Sequence, residues 1–202
     1  MKLYYSPGAC SLAVHIALHE VGAEFGLERV YLPEKQLSDG SDYLRISSQG
    51  YVPVLEFDDG SRYTETAALL QWIAESYPSR RLLGGDDARR RMDVLRWLAF
   101  VATELHKSFS PWLWHADVAE STRAMARAKL KDRFAEMEAT LRRQEYLAQT
   151  FSVADAYAYT VMSWAVYLKL PLEDFPAIRA YLKRVAQRPA VMRAMRDEGL
   201  KK

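Results

Sequence analysis

Cysteine is almost missing from this chain of 202 residues, which holds one, Cys10. A single thiol closes no internal disulfide, so nothing in the sequence asks for an oxidising compartment. Neither sign of charge is in excess: 28 Lys and Arg stand against 26 Asp and Glu, a formal net charge of +2. That balance, with the two signs interleaved, gives no reason to expect a nucleic-acid or membrane partner. The short run Arg89-Arg90-Arg91 suits a solvated helix face. No apolar run approaches the ~20 residues that cross a bilayer. Leu3-Tyr4-Tyr5 reads as strand, without a basic segment leading into a long apolar one, so no signal peptide is expected and the expected location is cytoplasmic. What the chain does have is core material, with 50% hydrophobic and 27% charged residues, an ordinary globular composition.

The first part alternates strand and helix. Lys2 to Tyr5 is a β run stopped by Ser6-Pro7-Gly8, and Ser11 to Val21 carries an apolar helical stripe ending at Gly22, a C-cap candidate. Phe25 to Tyr31 reads as a second strand, Asp42 to Ile46 as a short irregular helix. Val54 to Phe57 and Ser61 to Tyr63 flank Asp58-Asp59-Gly60, a hairpin signal, and a helix follows from Glu65 to Tyr77. The order βαβαββα implies a mixed four-stranded sheet covered by helices. The Pro- and Gly-containing stretch 78–87 reads as a linker between a domain at 1–77 and one at 88–202. The second is all helical: 88–109, 121–146 with Leu130, Phe134, Met137 and Leu141 on one face, an apolar central helix at 152–167, and two helices opened by Pro176 and Pro189.

Four places could carry chemistry. Cys10 falls between the first strand and the first helix; it is either a small apolar residue in a tight turn or a thiol activated by the helix N-terminus. The Val52-Pro53 bond can be cis, leaving backbone groups free to pair with an extended peptide; an ordinary turn proline is the alternative. Thr64-Glu65-Thr66 opens a helix and could hold the carboxylate and ammonium of an amino acid, or merely cap the helix. Ser152-Val153-Ala154-Asp155 has the spacing of a capping box, so Asp155 is expected to be a buried structural device and not a catalytic acid.

Tyr5-Ser6-Pro7-Gly8-Ala9-Cys10-Ser11-Leu12, Val52-Pro53, Thr64-Glu65, Glu104-Leu105-His106-Lys107 and Phe151-Ser152-Val153-Ala154-Asp155-Ala156-Tyr157 together resemble the cytosolic glutathione transferases of the bacterial beta class, over essentially the whole chain. The resemblance implies a thioredoxin-like N-terminal domain joined to an all-α C-terminal domain, a homodimer, and an enzyme that adds the glutathione thiolate to hydrophobic electrophilic small molecules. Thiol–disulfide exchange or peroxidase activity is the implied side reaction. The alternatives are a monothiol disulfide oxidoreductase and a non-catalytic binding protein. Glutathione is the implied co-substrate, with no metal.

By position, Cys10, His106 and Lys107 would form the thiol site. Val52, before Pro53, would hold the cysteinyl backbone, Glu65 with Thr66 the γ-glutamyl end, and Lys35 the glycyl carboxylate. Thr103 and Glu104 would contact glutathione across a dimer interface. Tyr5 could offer its hydroxyl to a thiol or fill the core. His15, His19 and His115 receive no role, and Phe109, Trp112, Leu113, Trp114 and Trp164 are candidates for lining an electrophile pocket. Three departures from the family pattern stand out: Ala99 where asparagine is usual, Ser47-Ser48 for Asn-Pro, and Leu147-Ala148-Gln149-Thr150 where a glycine commonly precedes the capping box. The first implies weaker glutathione binding.

Overall fold

In the computed structural model, which describes residues 1–201, the chain forms two compact units, Met1–Arg80 with the segment from Gln187 on, and Arg81–Ala186. The division falls between Arg80 and Arg81. The last helix differs from expectation: counted by sequence with the helical domain of 88–202, it packs in the first unit.

The first unit is built on β1 (Lys2–Tyr5), β2 (Gly26–Tyr31), β3 (Gln36–Leu37), β4 (Val54–Glu56) and β5 (Arg62–Tyr63), in the sheet order β3-β2-β1-β4-β5. Central β1 runs parallel to β2, with Leu3 opposite Leu27, and antiparallel to β4, with Leu3 opposite Leu55, so the sheet is mixed. Five strands replace the expected four. The extra one, β3, has only two residues, too few to show the alternation that marks a strand in sequence.

Helix α1 (Ser11–Val21) crosses from β1 to β2 and is buried from Ser11 to Leu18 without a break, which explains why its sequence is apolar nearly all round. It packs on β1, on α2 (Thr66–Ser76) and on α8 (Pro189–Asp197). Gly22 ends it at φ +73, its N–H returning to the His19 and Leu18 carbonyls, as its sequence position implies. A small core of Tyr4, Val30, Tyr43, Val52 and Val54 lies under the loop that leads to Pro53.

The second unit holds α3 (Ala88–Phe100), a π-helical segment Val101–His106, the short α4 (Lys107–Phe109), α5 (Glu120–Leu141), α6 (Val153–Tyr167) and α7 (Pro176–Ala186). Asp87 caps α3 by accepting from the Arg89 and Arg90 N–H groups. The face of α5 expected to be buried, Leu130, Phe134, Met137 and Leu141, is buried. Central α6 has its first ten residues out of solvent. Its start is fixed by Asp155, fully buried, whose carboxylate accepts from the Ser152 N–H (2.9 Å), the Ser152 hydroxyl (2.9 Å), the Leu147 N–H (2.9 Å) and the Tyr181 hydroxyl (3.1 Å). Burial pushes its pKa up to about 6 against the pull of these donors, so it is ionised at pH 7. Just ahead, Gln149 takes φ +69, the left-handed region that favours glycine, so a side chain occupies a backbone position where none is easiest.

Asp155→Ala would leave two buried N–H groups and a buried hydroxyl without their acceptor, and is expected to cost about 3 kcal/mol or more. Chemical denaturation checks this; a loss below about 0.5 kcal/mol, the size of an ordinary surface change, would contradict the role given to Asp155.

Candidate active site

Cys10 sits at the N-terminal boundary of α1, following the turn of residues 6–9. The turn is tied by the Ser11 hydroxyl, which donates to the Ser6 carbonyl and accepts from the Ser6 N–H, both at 3.3 Å. The partly buried Cys10 thiol donates to the Val52 carbonyl at 3.2 Å. No side chain caps α1 and no acid stands in its first turn, so the positive end of the helix meets the thiol without a compensating charge of its own.

The Val52-Pro53 bond is cis. The loop before it is held from two sides: the buried Tyr43 hydroxyl donates to the Tyr51 carbonyl at 2.8 Å, and Lys35 Nζ donates to the Gly50 carbonyl at 2.8 Å. The Lys35 ammonium also lies 5.5 Å from the centre of the Tyr51 ring. Gly50 adopts φ +64, and a Cβ there would come within 2.9 Å of the Lys35 side chain. The turn into Val52 is therefore made with Ser47-Ser48 in the sequence, the Gly50 N–H closing on the Ser47 carbonyl at 2.8 Å. Cys10, Lys35, Val52 and Pro53 thus belong to one connected corner of the first unit.

Glu65 precedes α2 at φ +67 and ψ 105, a conformation that costs a non-glycine residue on the order of 1–3 kcal/mol. Its side chain is exposed, and α2 begins with neither a side-chain cap nor an acid in its first turn. The capping alternative for this motif is not what the backbone shows. The N–H groups at the start of α2 remain available to an anion, beside an exposed carboxylate that can meet an ammonium. Thr66 is buried as the first helical residue. Tyr5 is in the core, its ring centre 6.1 Å from that of His15; burial, then the negative charge of Glu198, push its hydroxyl pKa up.

In the second unit, His106 ends the π-helical segment. Its Nδ1 lies 2.6 Å from the Tyr157 hydroxyl, and its ring meets Trp164 edge-on at 4.9 Å. When that hydroxyl donates, the imidazole proton is on Nε2, which becomes a donor. Burial, helped by the charge of exposed Lys107, pushes the His106 pKa down to about 4, so the ring is neutral at pH 7. Tyr157 closes the Phe151–Tyr157 motif but is not among the expected site residues. A π turn, common at functional sites, leaves no sequence signal that would have found it. Thr103 donates to the Ala99 carbonyl at 3.0 Å, and Glu104 pairs with Lys129 (3.3 Å) and Arg133 (3.1 Å) within the chain. Of the aromatic candidates, Phe109 is core, whereas Trp164 joins His106 to Trp114, whose ring centre is 5.9 Å away and which is 41% exposed.

The mixed five-stranded sheet with its crossing helix is a thioredoxin-like domain, and the second unit is all helical. The family models for the N-terminal and C-terminal domains of glutathione S-transferase match residues 8–76 and 100–189. The chain is 43% identical over 202 residues to glutathione S-transferase GstA of Escherichia coli O157:H7, covering all of both. It superposes on the sphingomonad glutathione S-transferase complexed with glutathione with a TM-score of 0.92 and 38% identity, covering all of both chains. A bacterial beta class enzyme from Sphingomonas chungbukensis gives 0.93 and 36%, again over all of both chains. The chain belongs to the glutathione S-transferase family, in its bacterial beta class.

His106 is expected to titrate near pH 4 by nitrogen-resolved NMR, staying neutral throughout the physiological range. Lys107→Ala, which removes a like charge, should raise that midpoint by less than burial lowers it. A midpoint near the ordinary 6.5 in the unaltered protein would contradict the burial of the ring.

Proposed function

We propose that this protein conjugates glutathione to hydrophobic electrophilic small molecules, with Cys10, His106 and Lys107 as its catalytic residues. The observation that carries the site assignment is the Cys10 thiol on the Val52 carbonyl at the start of an uncapped helix. An extended peptide laid beside Val52 and Pro53 would bond to the same backbone, which puts a cysteinyl side chain next to Cys10. Glutathione is such a peptide, with one ammonium and two carboxylates. Glu65 and the start of α2 suit its γ-glutamyl end, and Lys35, fixed on the Gly50 carbonyl, suits its glycyl carboxylate.

The chemistry follows from the charges. The helix N-terminus at Cys10 favours the glutathione thiolate over the thiol, and the thiolate is the nucleophile. His106, neutral at pH 7, serves as a hydrogen-bond donor through Nε2 and does not store the thiol proton, which passes to solvent. With an aryl halide, the sulfur lone pair forms the carbon–sulfur bond, the carbon–halogen bond breaks, and halide leaves with its electron pair. The aromatic run Trp164, Trp114 and Tyr167 offers an apolar wall for such a ring. Cys10 supports a second reaction, in which its thiolate attacks a glutathione mixed disulfide; with one cysteine the cycle needs a second glutathione to close it. The protein would work as a homodimer, with Thr103 and Glu104 contributing at the interface, in the reduced cytoplasmic pool where glutathione is plentiful.

Two measurements test this. Cys10→Ala is expected to abolish reduction of a glutathione mixed disulfide while keeping conjugation to an aryl halide within about 10-fold, since one hydrogen bond of about 1 kcal/mol is lost among several groups that hold the sulfur. No activity in either assay, with no glutathione binding by calorimetry, would overturn the enzyme assignment. Ala99→Asn, which supplies an amide where the family usually has one, should tighten glutathione binding by about 2- to 10-fold; unchanged affinity would show that position 99 does not reach the ligand.

A further inference from the structure

Two histidines outside the candidate thiol site come together with an acid from the other end of the chain. His15 and His19, one turn apart on α1, face Asp197 at the end of α8. His19 Nε2 is 3.1 Å from His15 Nε2 and 3.1 Å from Asp197 Oδ2, and His15 Nε2 is 3.7 Å from Asp197 Oδ2. Ligand bonds of about 2.0–2.1 Å in a tetrahedral zinc site put the ligand atoms about 3.3–3.4 Å apart. The three observed separations straddle that value.

A second feature points the same way. His15 Nδ1 is 2.9 Å from Glu198 Oε1, and both side chains are fully buried. When Nδ1 carries the proton, Nε2 presents its lone pair to the cluster. A carboxylate holding the far nitrogen of a ligating histidine is the arrangement that fixes the tautomer and orientation in metal sites. Phe25 covers the two imidazoles, its ring 5.5 Å from His15 and 5.1 Å from His19, while Asp197 is 36% exposed and leaves a path for an ion and a water. The cation beside the cluster is distant: Arg193 reaches Asp197 only at 4.0 Å.

We propose that His15, His19 and Asp197 bind a divalent transition ion of the zinc type, with water as the fourth ligand and Glu198 orienting His15. The ion fastens α8 to α1 and does not itself contact glutathione. Its effect reaches the thiol loop through Glu198, whose Oε2 accepts the Gly8 N–H at 2.9 Å.

The test is titration of the metal-free protein with Zn²⁺ by calorimetry and with Co²⁺ by visible absorption, glutathione absent, alongside a Cys10→Ala variant to remove the thiol as a competing ligand. One ion per chain, a tetrahedral Co²⁺ spectrum lacking a sulfur-to-metal band, and a Zn²⁺-dependent rise in Tm are expected in both proteins. His19→Ala and Asp197→Asn should each weaken binding by more than about 10-fold and remove the Tm rise. Asp197 is exposed enough for its variant to fold even if the histidine variant does not. Absence of Zn²⁺ binding to the unaltered protein, or undiminished binding in Asp197→Asn, would overturn the proposal.

Discussion

The contact between the His15 imidazole and the Glu198 carboxylate constrains much of the first unit. Helix α1 crosses the sheet with its first eight residues out of solvent, and His15 lies among them with no exposed surface. A ring nitrogen in that position needs a partner, and Glu198 supplies it from just beyond α8. The same carboxylate accepts the Gly8 N–H, in the turn that delivers Cys10 to the head of α1. One buried acid thus ties the C-terminal segment, the central helix and the thiol loop. This explains why the last helix packs with the N-terminal unit and not with the helices that precede it in sequence.

The second unit rests on a comparable device. Asp155 gathers four donors at the start of α6 and holds that helix in place. Two residues further on, Tyr157 meets His106. The capping box is therefore structural, as its spacing implies, and it sets the helix from which the Tyr157 hydroxyl reaches the imidazole. Burial of His106 follows from the same packing and keeps the ring neutral at pH 7.

Local pattern made a large part of this legible. The apolar stripe and Gly22 marked α1, Asp-Gly marked the β4–β5 turn, and Ser152 with Asp155 marked the start of α6; each depends on residues within a few positions of one another. Cys10, Val52 and Glu65 each fall in a short motif of the family. What stayed hidden depends on long-range contact or on backbone with no side-chain signature. Strand β3 is two residues long, and the π-helical segment at 101–106 reads as plain helix. His15 and His19 have a visible spacing of four, but Asp197 is 178 residues from His19, and nothing local announces their meeting. The acceptor that joins Ala177 and Ile178 at the start of α7 is likewise a distant one, Glu138.

The most direct measurement is a crystal structure of the protein with glutathione bound. The tripeptide is expected to lie extended along Val52, with its sulfur beside Cys10 Sγ, its γ-glutamyl carboxylate at the start of α2, its ammonium on Glu65, and its glycyl carboxylate near Lys35. Glutathione bound elsewhere, or bound with its sulfur away from Cys10, would contradict the assignment of this corner of the first unit as the thiol site.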